Sequence, residues 1–394
     1  MMSLPPEEPV VSPSGPLTSV LVVELAGIGP GPFAAMMLAD MGATVIRVDR
    51  AGAVPTERPD GPHPDMLNRG RRSIAVDLKS SAGRDVTLSL IENADVLIEG
   101  FRPGVTERLG LGPADCLGRN PRLVYGRMTG WGQTGPMSQF AGHDVNYIAL
   151  TGALHAVGRA GERPVPPMNL VGDFGGGGLM LAFGVVAAVL EARMSGRGQV
   201  VDAAMVDGAS VLTTAIHGLR SRGIWTGGRG ENLLDTGAPF YEVYECADGK
   251  YVAIGAIEPQ FYAELVRLTG YQEQPDDPDR MDADEWPAAK ERWTRLFLTR
   301  GRDEWVTMAG SSDACLTPVL DWDEAASHPH LVARETFIEH AGVVQPAPAP
   351  RFGATPGRIQ RPAPYPGDHT DELLGETGFD AEAIAALRAS GAVR

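Results

Sequence analysis

The segment that decides the fold of this chain lies at residues 20–50 and reads VLVVELAGIGPGPFAAMMLADMGATVIRVDR. Its first six residues are an apolar run, which predicts a buried strand. After a Gly/Pro loop, residues 33–41 predict a helix that has Pro32 near its first turn and ends at Gly42. Residues 44–48 predict a second strand. A strand, a helix and another strand in succession imply a parallel sheet with a right-handed crossover.

The alternation of strands and helices continues through the N-terminal half of the chain. The patterns predict a helix at 85–93 and strands at 96–98, 122–125 and 199–202. From about residue 240 the character changes, because residues 241–246 and 251–254 flank an Asp-Gly turn and predict a β-hairpin. The sequence therefore predicts an α/β protein with a large, doubly wound, Rossmann-like domain and a smaller α+β domain.

These patterns also suggest domain boundaries. Residues 1–16 are rich in Pro, Ser and Glu and lack an apolar signal-peptide core, so we expect a disordered leader. A Pro-rich strap at 346–366 and a helix at 381–389 end the chain. The expected order is a large Rossmann-like domain at 17–205, a linker at 206–239, a small α+β domain at 240–330, and a C-terminal return to the large domain at 331–394.

Composition limits the possible partners and the compartment. A formal net charge of −16 disfavours nucleic acid and anionic membranes as partners. The three cysteines are far apart and lack CxxC spacing, so we predict a reduced, cytoplasmic protein without a disulfide framework or a zinc site. The longest apolar run, 179–190, is shorter than a bilayer span requires, which predicts a soluble protein without membrane insertion.

Two short motifs carry groups that can exchange protons. Gly142-His143-Asp144 is followed thirty residues after its histidine by Asp173, where a run of glycines opens a long apolar helix. A histidine and an aspartate that face one carbon atom could remove its proton on one side and return a proton on the other. The alternatives are a structural histidine and an aspartate that only caps the helix.

The loop after the first strand resembles a dinucleotide-binding fingerprint but breaks its pattern. The motif G-x-G-x-x-G would begin at Gly27, yet Pro32 stands where the third glycine belongs. Pro30 and Pro32 also remove two N–H groups that would bind a pyrophosphate. We therefore predict no nicotinamide cofactor.

Basic residues cluster in one part of this acidic chain. They are Arg47, Arg50, Arg58, Arg69, Arg71, Arg72, Lys79 and Arg84, followed by Arg102 and Arg108. Arginine forks match phosphate oxygens well, so the cluster indicates an anion site near strand ends. The alternative for each residue is an incidental surface ion pair.

Several segments together carry a family resemblance that spans the chain from about residue 15 to the final helix. They are 23–27, 42–49, 77–79, 99–104, 125–133, 198–202, 257–262 and 317–320. On these segments the chain resembles the family III CoA-transferase superfamily and, within it, the α-methylacyl-CoA racemases. The resemblance implies an interlocked homodimer whose large domain is built from both ends of each chain.

The resemblance also implies an activity. Asp173 stands where both branches of the superfamily have an aspartate, His143 where the racemases have a histidine, and Glu258 where they have the glutamate that pairs with it. The implied reaction is racemisation (epimerisation) of 2-methylacyl-CoA thioesters by 1,1-proton transfer through an enolate. The alternative is CoA transfer with Asp173 as the nucleophile. CoA is part of the substrate, so no separate cofactor and no metal are expected, and the physiological acyl chain stays open.

By the same resemblance, a further set of residues would bind the CoA moiety. They are Arg50, Val76, Asp77, Leu78, Lys79, Gly100, Phe101, Arg102, Arg108, Gly142, Asp144, Val145, Asn146 and Tyr147. Only the backbone of Val76 is expected to contribute. Backbone N–H groups at the start of the helix after His143 are the expected oxyanion donors.

Overall fold

The structure of the chain is a computed structural model that describes residues 14–61, 63–272 and 279–394. The leader expected at residues 1–16 lies outside this range except for its last three residues. Within the described chain two compact units are distinguished. The large unit comprises residues 14–151, 168–212 and 335–394, and the small unit comprises residues 152–167 and 213–334.

The large unit contains a six-stranded parallel sheet. The described strands are β1 (Leu21–Leu25), β2 (Thr44–Arg50), β3 (Arg71–Val76), β4 (Val96–Glu99), β5 (Val124–Thr129), β6 (Val200–Ala204), β7 (Tyr241–Glu245), β8 (Tyr251–Gly255), β9 (Leu316–Pro318), β10 (Phe337–His340) and β11 (Val343–Pro346). The sheet has the order β3-β2-β1-β4-β5-β6, and each neighbouring pair is parallel. The predicted α/β fold with a parallel sheet is confirmed. The order reverses between β1 and β4, which opens a crevice at the carboxyl ends of these strands.

The helices begin and end as follows. They are α1 (Pro30–Asp40), α2 (Ser81–Glu92), α3 (Val105–Arg108), α4 (Pro113–Arg119), α5 (Asp144–Leu150), α6 (Ala153–Ala156), α7 (Met180–Ser195), α8 (Met205–Leu212), α9 (Thr214–Ser221), α10 (Pro259–Thr269), α11 (Trp286–Phe297), α12 (Arg302–Ala309), α13 (Trp322–Ser327), α14 (Pro329–Ala333), α15 (Thr370–Glu376) and α16 (Ala381–Ala389). A π-helical segment, Leu170–Leu179, runs directly into α7.

Apolar side chains cover both faces of the parallel sheet. Successive strand residues point to opposite faces, so Val22 packs in the core that contains α1 and α7, and Val23 packs in the core that contains α2 and α15. Burial on both faces explains why these strands read as continuous apolar runs in the sequence. The sheet is therefore a rigid platform for the loops at its carboxyl edge.

The helix that carries Asp173 is longer than the sequence pattern suggested. The π-helical segment and α7 together span Leu170–Ser195, 26 residues, which is long and apolar enough by length and composition to cross a membrane. The predicted run at 179–190 covered less than half of it. One face of α7, which includes Leu181 and Val185, is buried against the sheet. This segment also approaches α8 so closely that a Cβ on Gly176 would lie 2.6 Å from the Ala209 backbone nitrogen, which explains part of the glycine run.

Residues 206–239 form more regular structure than the expected linker. Two helices, α8 and α9, occupy its first half. One face of α8 is buried, and this helix packs against the segment that carries Asp173. Residues 152–167, expected in the large domain, belong to the small unit, because they pack mainly within it.

The small unit is built on an antiparallel sheet in the order β7-β8-β9. The predicted hairpin is present, with Tyr241 paired to Gly255 and the turn glycine, Gly249, at φ 73°. Its core contains stacked aromatic rings, among them Tyr271 and Trp293 with centroids 4.0 Å apart. Helix α10 begins directly after Glu258, which occupies its N-cap position.

Candidate active site

The crevice at the carboxyl ends of the sheet contains a cavity of about 690 Å³. It lies where the strand order reverses, which is the expected ligand site of a doubly wound sheet. The loops after β1, β4 and β5 line it, together with the segment that leads into α5 and the start of the π-helical segment. Its side-chain lining includes His143, Asp173, Arg102, Trp131 and Tyr147.

His143 lies immediately before the first residue of α5. It occupies the N-cap position with extended backbone, and its side chain is exposed in the cavity lining. Its backbone N–H donates to Asn146 Oδ1 at 3.0 Å, while its carbonyl accepts from the Asn146 N–H at 2.8 Å. This reciprocal pair fixes the backbone of His143 and leaves the imidazole available to a substrate.

Asp173 lies in the first turn of the π-helical segment rather than in front of it. Its Oδ2 accepts from Asn169 Nδ2 at 2.6 Å, and its backbone N–H donates to Asp144 Oδ1 at 2.8 Å. The carboxylate is half-buried and lines the same cavity as His143. The two groups singled out by the sequence are thus brought together by the ends of two different helices.

The electrostatic surroundings of Asp173 favour proton exchange. Burial raises the pKa of its carboxyl above the usual range, and the neighbouring Asp144 raises it further. The Asn169 hydrogen bond and the charge of His143 oppose this rise in the pKa. A carboxyl with a raised pKa can accept a proton in one direction of a reaction and donate one in the other.

Asp144 has a different place from the one expected of a CoA ligand. Its side chain is only 3% exposed, and its Oδ1 is used by the Asp173 N–H. A Cβ on Gly172 would lie 2.2 Å from that Oδ1, so the chain must have glycine there for the contact to form. The Asp144 carboxylate therefore holds the backbone of Asp173 instead of facing the cavity.

Tyr147 forms part of the cavity wall. Its hydroxyl donates to the Gly142 carbonyl, and its ring meets Trp131 edge-on with centroids 4.7 Å apart. Burial and the nearby Asp173 carboxylate raise the pKa of Tyr147, so its hydroxyl stays protonated as a donor. Gly142 is closely packed, since a Cβ there would lie 2.7 Å from the tyrosine ring.

The other predicted CoA ligands divide into two groups. Gly100, Phe101, Arg102, Gly142 and Tyr147 line the cavity. Outside that lining are Arg50, Val76, Asp77, Leu78, Lys79, Arg108, Asp144, Val145 and Asn146. Arg50 ends β2 beside Val76, which ends β3, so this second group includes residues at the same carboxyl edge of the sheet. Glu258 lies in the small unit.

Ion pairs separate the clustered cations into two classes. Six of them are paired within the described chain: Arg47 with Glu24 and Asp49, Arg58 with Asp368, Arg69 with Asp40, Arg71 with Glu24, Arg72 with Glu372 and Glu376, and Arg84 with Asp85. Among the residues that the structure describes, Arg50, Lys79, Arg102 and Arg108 make no ion pair. These four are the cations that the family resemblance assigns to CoA.

Two buried Glu–Arg pairs flank the crevice and were not predicted. Glu24 on β1 accepts from Arg47 on β2 at 2.7 Å, and Glu99 on β4 accepts from Arg127 on β5 at 2.8 Å. Each glutamate stands opposite its arginine in the register of the parallel sheet. Glu99 also accepts from the Phe101 N–H at 2.7 Å and so fixes the loop after β4. The signal in the sequence is a charged residue inside an otherwise apolar strand.

Asn169 is the other functional residue that sequence reasoning missed. It lies in a Pro-rich loop, and nothing in its neighbours in the sequence marks it. Only the turn of helix that follows brings its amide to Asp173.

The start of α1 offers few donors to a phosphate. Pro30 and Pro32 have no N–H, and the Phe33 N–H donates to the Gly29 carbonyl at 3.1 Å. Across residues 14–61, 63–272 and 279–394, no group of three or more His, Cys, Asp and Glu side chains is arranged to hold a metal ion.

Comparisons with known proteins agree with this architecture. The sequence pattern of CoA-transferase family III matches residues 17–370. The chain is 46% identical to α-methylacyl-CoA racemase of Mus musculus and 44% identical to that of Homo sapiens, in each case over 94% of this chain and 96% of the relative. A crystal structure of a CAIB/BAIF family protein from Brucella suis has the same fold, with a TM-score of 0.78 at 24% identity, over 92% of this chain and 100% of that protein. The chain belongs to CoA-transferase family III.

Proposed function

We propose that this protein is an isomerase that interconverts the two configurations at C2 of 2-methylacyl-CoA thioesters. The observation that carries the proposal is that His143 and Asp173, from different helix ends, line one cavity. The 44–46% identity to proteins named α-methylacyl-CoA racemase supports the same reaction. Such a role places the protein in the metabolism of branched fatty acids and related lipids.

The reaction needs a base on each face of C2. One of the pair, His143 or Asp173, takes the hydrogen from C2 as a proton, and the electron pair moves to the thioester oxygen as an enolate. The other group returns a proton to C2 from the opposite face, and the carbonyl re-forms. Backbone N–H groups at the start of α5 are the proposed oxyanion donors. After one turnover the two groups have exchanged protonation states, and proton exchange with water restores them.

The CoA moiety would be held by the clustered cations that make no ion pair within the described part of the chain. Arg50, Lys79, Arg102 and Arg108 are exposed; Arg50 ends β2, and Lys79 and Arg102 lie three residues after the ends of β3 and β4 at the carboxyl edge of the sheet. Guanidinium and ammonium groups suit the phosphates of CoA. Gly100 and Phe101 would contact the same moiety through the backbone that Glu99 fixes. No cofactor besides the CoA of the substrate is proposed.

Glu258 is proposed to orient the imidazole of His143 and to stabilise its charged form. This assignment rests on the family resemblance. The expected consequence is that Glu258→Gln lowers turnover less than replacement of His143 does.

A homodimer in the cytoplasm, without membrane insertion, is the proposed state of the protein. An apolar stripe along α7 and the residue before it supports the dimer: it consists of Leu179, Phe183, Val186, Leu190 and Met194. These side chains recur at helical spacing, and Phe183 and Met194 are 72% and 82% exposed. A contiguous exposed stripe of this kind marks an interaction surface.

CoA transfer is the second candidate, because Asp173 could attack an acyl-CoA as a nucleophile. A pure enantiomer of a 2-methylacyl-CoA in D2O, followed by proton NMR, separates the two. Loss of the C2 hydrogen signal with inversion at C2 is the expected result. Absence of exchange, with CoA passing to an added carboxylate, would establish the transferase instead.

A further inference from the structure

The loop between β1 and α1 places a residue without a side chain against Asp173. Gly29 lines the cavity, and a Cβ on it would lie 3.5 Å from Asp173 Oδ2. That oxygen is already held on another side by Asn169. The space beside the carboxylate is therefore open because position 29 has no side chain.

Backbone conformation is a second reason for glycine at this position. Gly29 has φ 68° and ψ −117°, a region that residues with a Cβ rarely adopt. Gly310 in the small unit has nearly the same conformation, φ 53° and ψ −126°, and the nearest atom to a Cβ there is the Thr307 carbonyl oxygen at 3.7 Å. A change at Gly310 thus reproduces the backbone strain without touching the cavity.

We infer that Gly29 is a specificity-determining residue that leaves room for the 2-methyl branch of the acyl group beside Asp173. The inference rests on the proposed function. To reach the hydrogen on C2, the carboxylate must come within hydrogen-bond distance of it. The other substituents of C2 then lie near the carboxylate, where a straight chain has a hydrogen and a 2-methyl chain has a carbon.

The neighbouring residue gives this space an apolar border. Ile28 is 85% exposed and lines the same cavity. Phe33 and Phe174, with ring centroids 5.0 Å apart, lie on the two elements that meet beside Gly29 and Asp173. An aliphatic branch is the kind of group that such a border accepts.

The test compares Gly29→Ala with Gly310→Ala. Exchange of the C2 hydrogen in D2O is measured for 2-methyldecanoyl-CoA and for decanoyl-CoA with each variant and with the unaltered protein. In Gly29→Ala we expect kcat/KM for the branched ester to fall about tenfold or more relative to the straight ester, the scale set by one methyl group in a packed pocket. Gly310→Ala is expected to keep the ratio of the unaltered protein. An equal loss on both esters in Gly29→Ala, or an unchanged ratio, would overturn the inference.

A substrate series on the unaltered protein covers the case in which Gly29→Ala does not fold. A 2-ethyl ester is expected to exchange at least about tenfold more slowly than the 2-methyl ester, because one more carbon must enter the same space. Equal rates would overturn the inference. Failure of the unaltered protein to exchange the 2-methyl ester would instead contradict the proposed function, so the two failures are distinguishable.

Discussion

The proton affinity of Asp173 is set by a few named neighbours. Burial raises its pKa, Asp144 adds to the rise, and Asn169 and His143 act against it. Asp144 and Asn169 bind different parts of the residue: Asp144 accepts from its backbone N–H, and Asn169 donates to its Oδ2. Each can be changed separately, so the two contributions to the pKa have testable signs.

Asp144→Asn is expected to lower the pKa of Asp173. The amide oxygen can still accept from the Asp173 N–H, but the negative charge that raised the pKa is gone. Asp173 then stays deprotonated to lower pH. For the enantiomer from which Asp173 takes the proton, the fall of kcat/KM on the acid side of the pH profile (the acid limb) should therefore move to lower pH. Asp85→Asn, at an exposed site on α2, is the matched control. A limb that moves to higher pH would contradict this account.

Asn169→Ala is expected to have the opposite effect. It removes the hydrogen bond that lowers the pKa of Asp173, so that pKa should rise further and the acid limb should move to higher pH. The measurement is the same pH profile with the same enantiomer. If both variants shift the limb in one direction, the hydrogen bond and the charge do not act as described.

At the residue scale, the sequence marked the two cavity residues that are proposed to exchange protons, but not the residues that contact them. His143 and Asp173 stand in motifs that mark them. Asn169 carries no such mark, and Asp144 was assigned to CoA because its buried position depends on how α5 meets the π-helical segment. Contacts between distant helices are tertiary facts that a local pattern does not contain.

At the element scale, the loops that form the cavity are held in place by buried ion pairs between neighbouring strands of the sheet. Glu99 and Arg127 are buried, and Glu99 also holds the Phe101 N–H. On the other side of the crevice, Arg47 binds Glu24 and donates to the Gly27 carbonyl at 3.3 Å. The loops after β1 and β4 are thereby tied to the rigid part of the sheet.

Arg127→Met is expected to destabilise the protein and to weaken substrate binding. It leaves the Glu99 carboxylate buried without its partner, which typically costs about 3–5 kcal/mol of unfolding free energy. Loosening of the loop at Gly100 should also raise KM for acyl-CoA. Arg119→Met removes a surface pair with Glu92 and should cost about 0–1 kcal/mol. Equal losses of unfolding free energy for the two variants in denaturant titrations would show that the buried Glu99–Arg127 pair does not stabilise the protein more than a surface pair does.

The elements themselves were largely predictable, with informative exceptions. β1, α1 and β2 follow from apolar runs and from prolines and glycines at their ends. β3 was not recognised, because it opens with Arg71 and Arg72, which read as part of a basic cluster. Arg71 is fully buried, where it forms an ion pair with Glu24 and donates to the carbonyls of Leu67 and Pro32. A charged strand end paired within the core has the same local sequence as one that faces solvent.

At the scale of the whole molecule, one helix serves two environments. The sheet-facing side of α7 is buried in the core, and its opposite side carries the apolar stripe from Leu179 to Met194. The sequence showed an apolar helix without a clear polar side, which is typical of a helix covered all round. A second copy of the chain is the proposed cover of the stripe.

Phe183→Glu is expected to disrupt the proposed dimer. A carboxylate in the middle of the stripe would have to be buried without a partner when two copies associate. Mass determination by light scattering during gel filtration should show a shift towards monomer. Trp322→Glu, at an equally exposed aromatic on α13, should leave the mass unchanged. A dimeric Phe183→Glu protein would show that the stripe has another role.

The central claim is that two different groups act on opposite faces of C2. The most direct test measures deuterium incorporation from D2O into each pure enantiomer of a 2-methylacyl-CoA by His143→Asn and by Asp173→Asn. Each variant retains one base, so each should exchange the hydrogen of one enantiomer with retention of configuration, and the two variants should act on opposite enantiomers. Inversion by either variant, or exchange of the same enantiomer by both, would contradict the account.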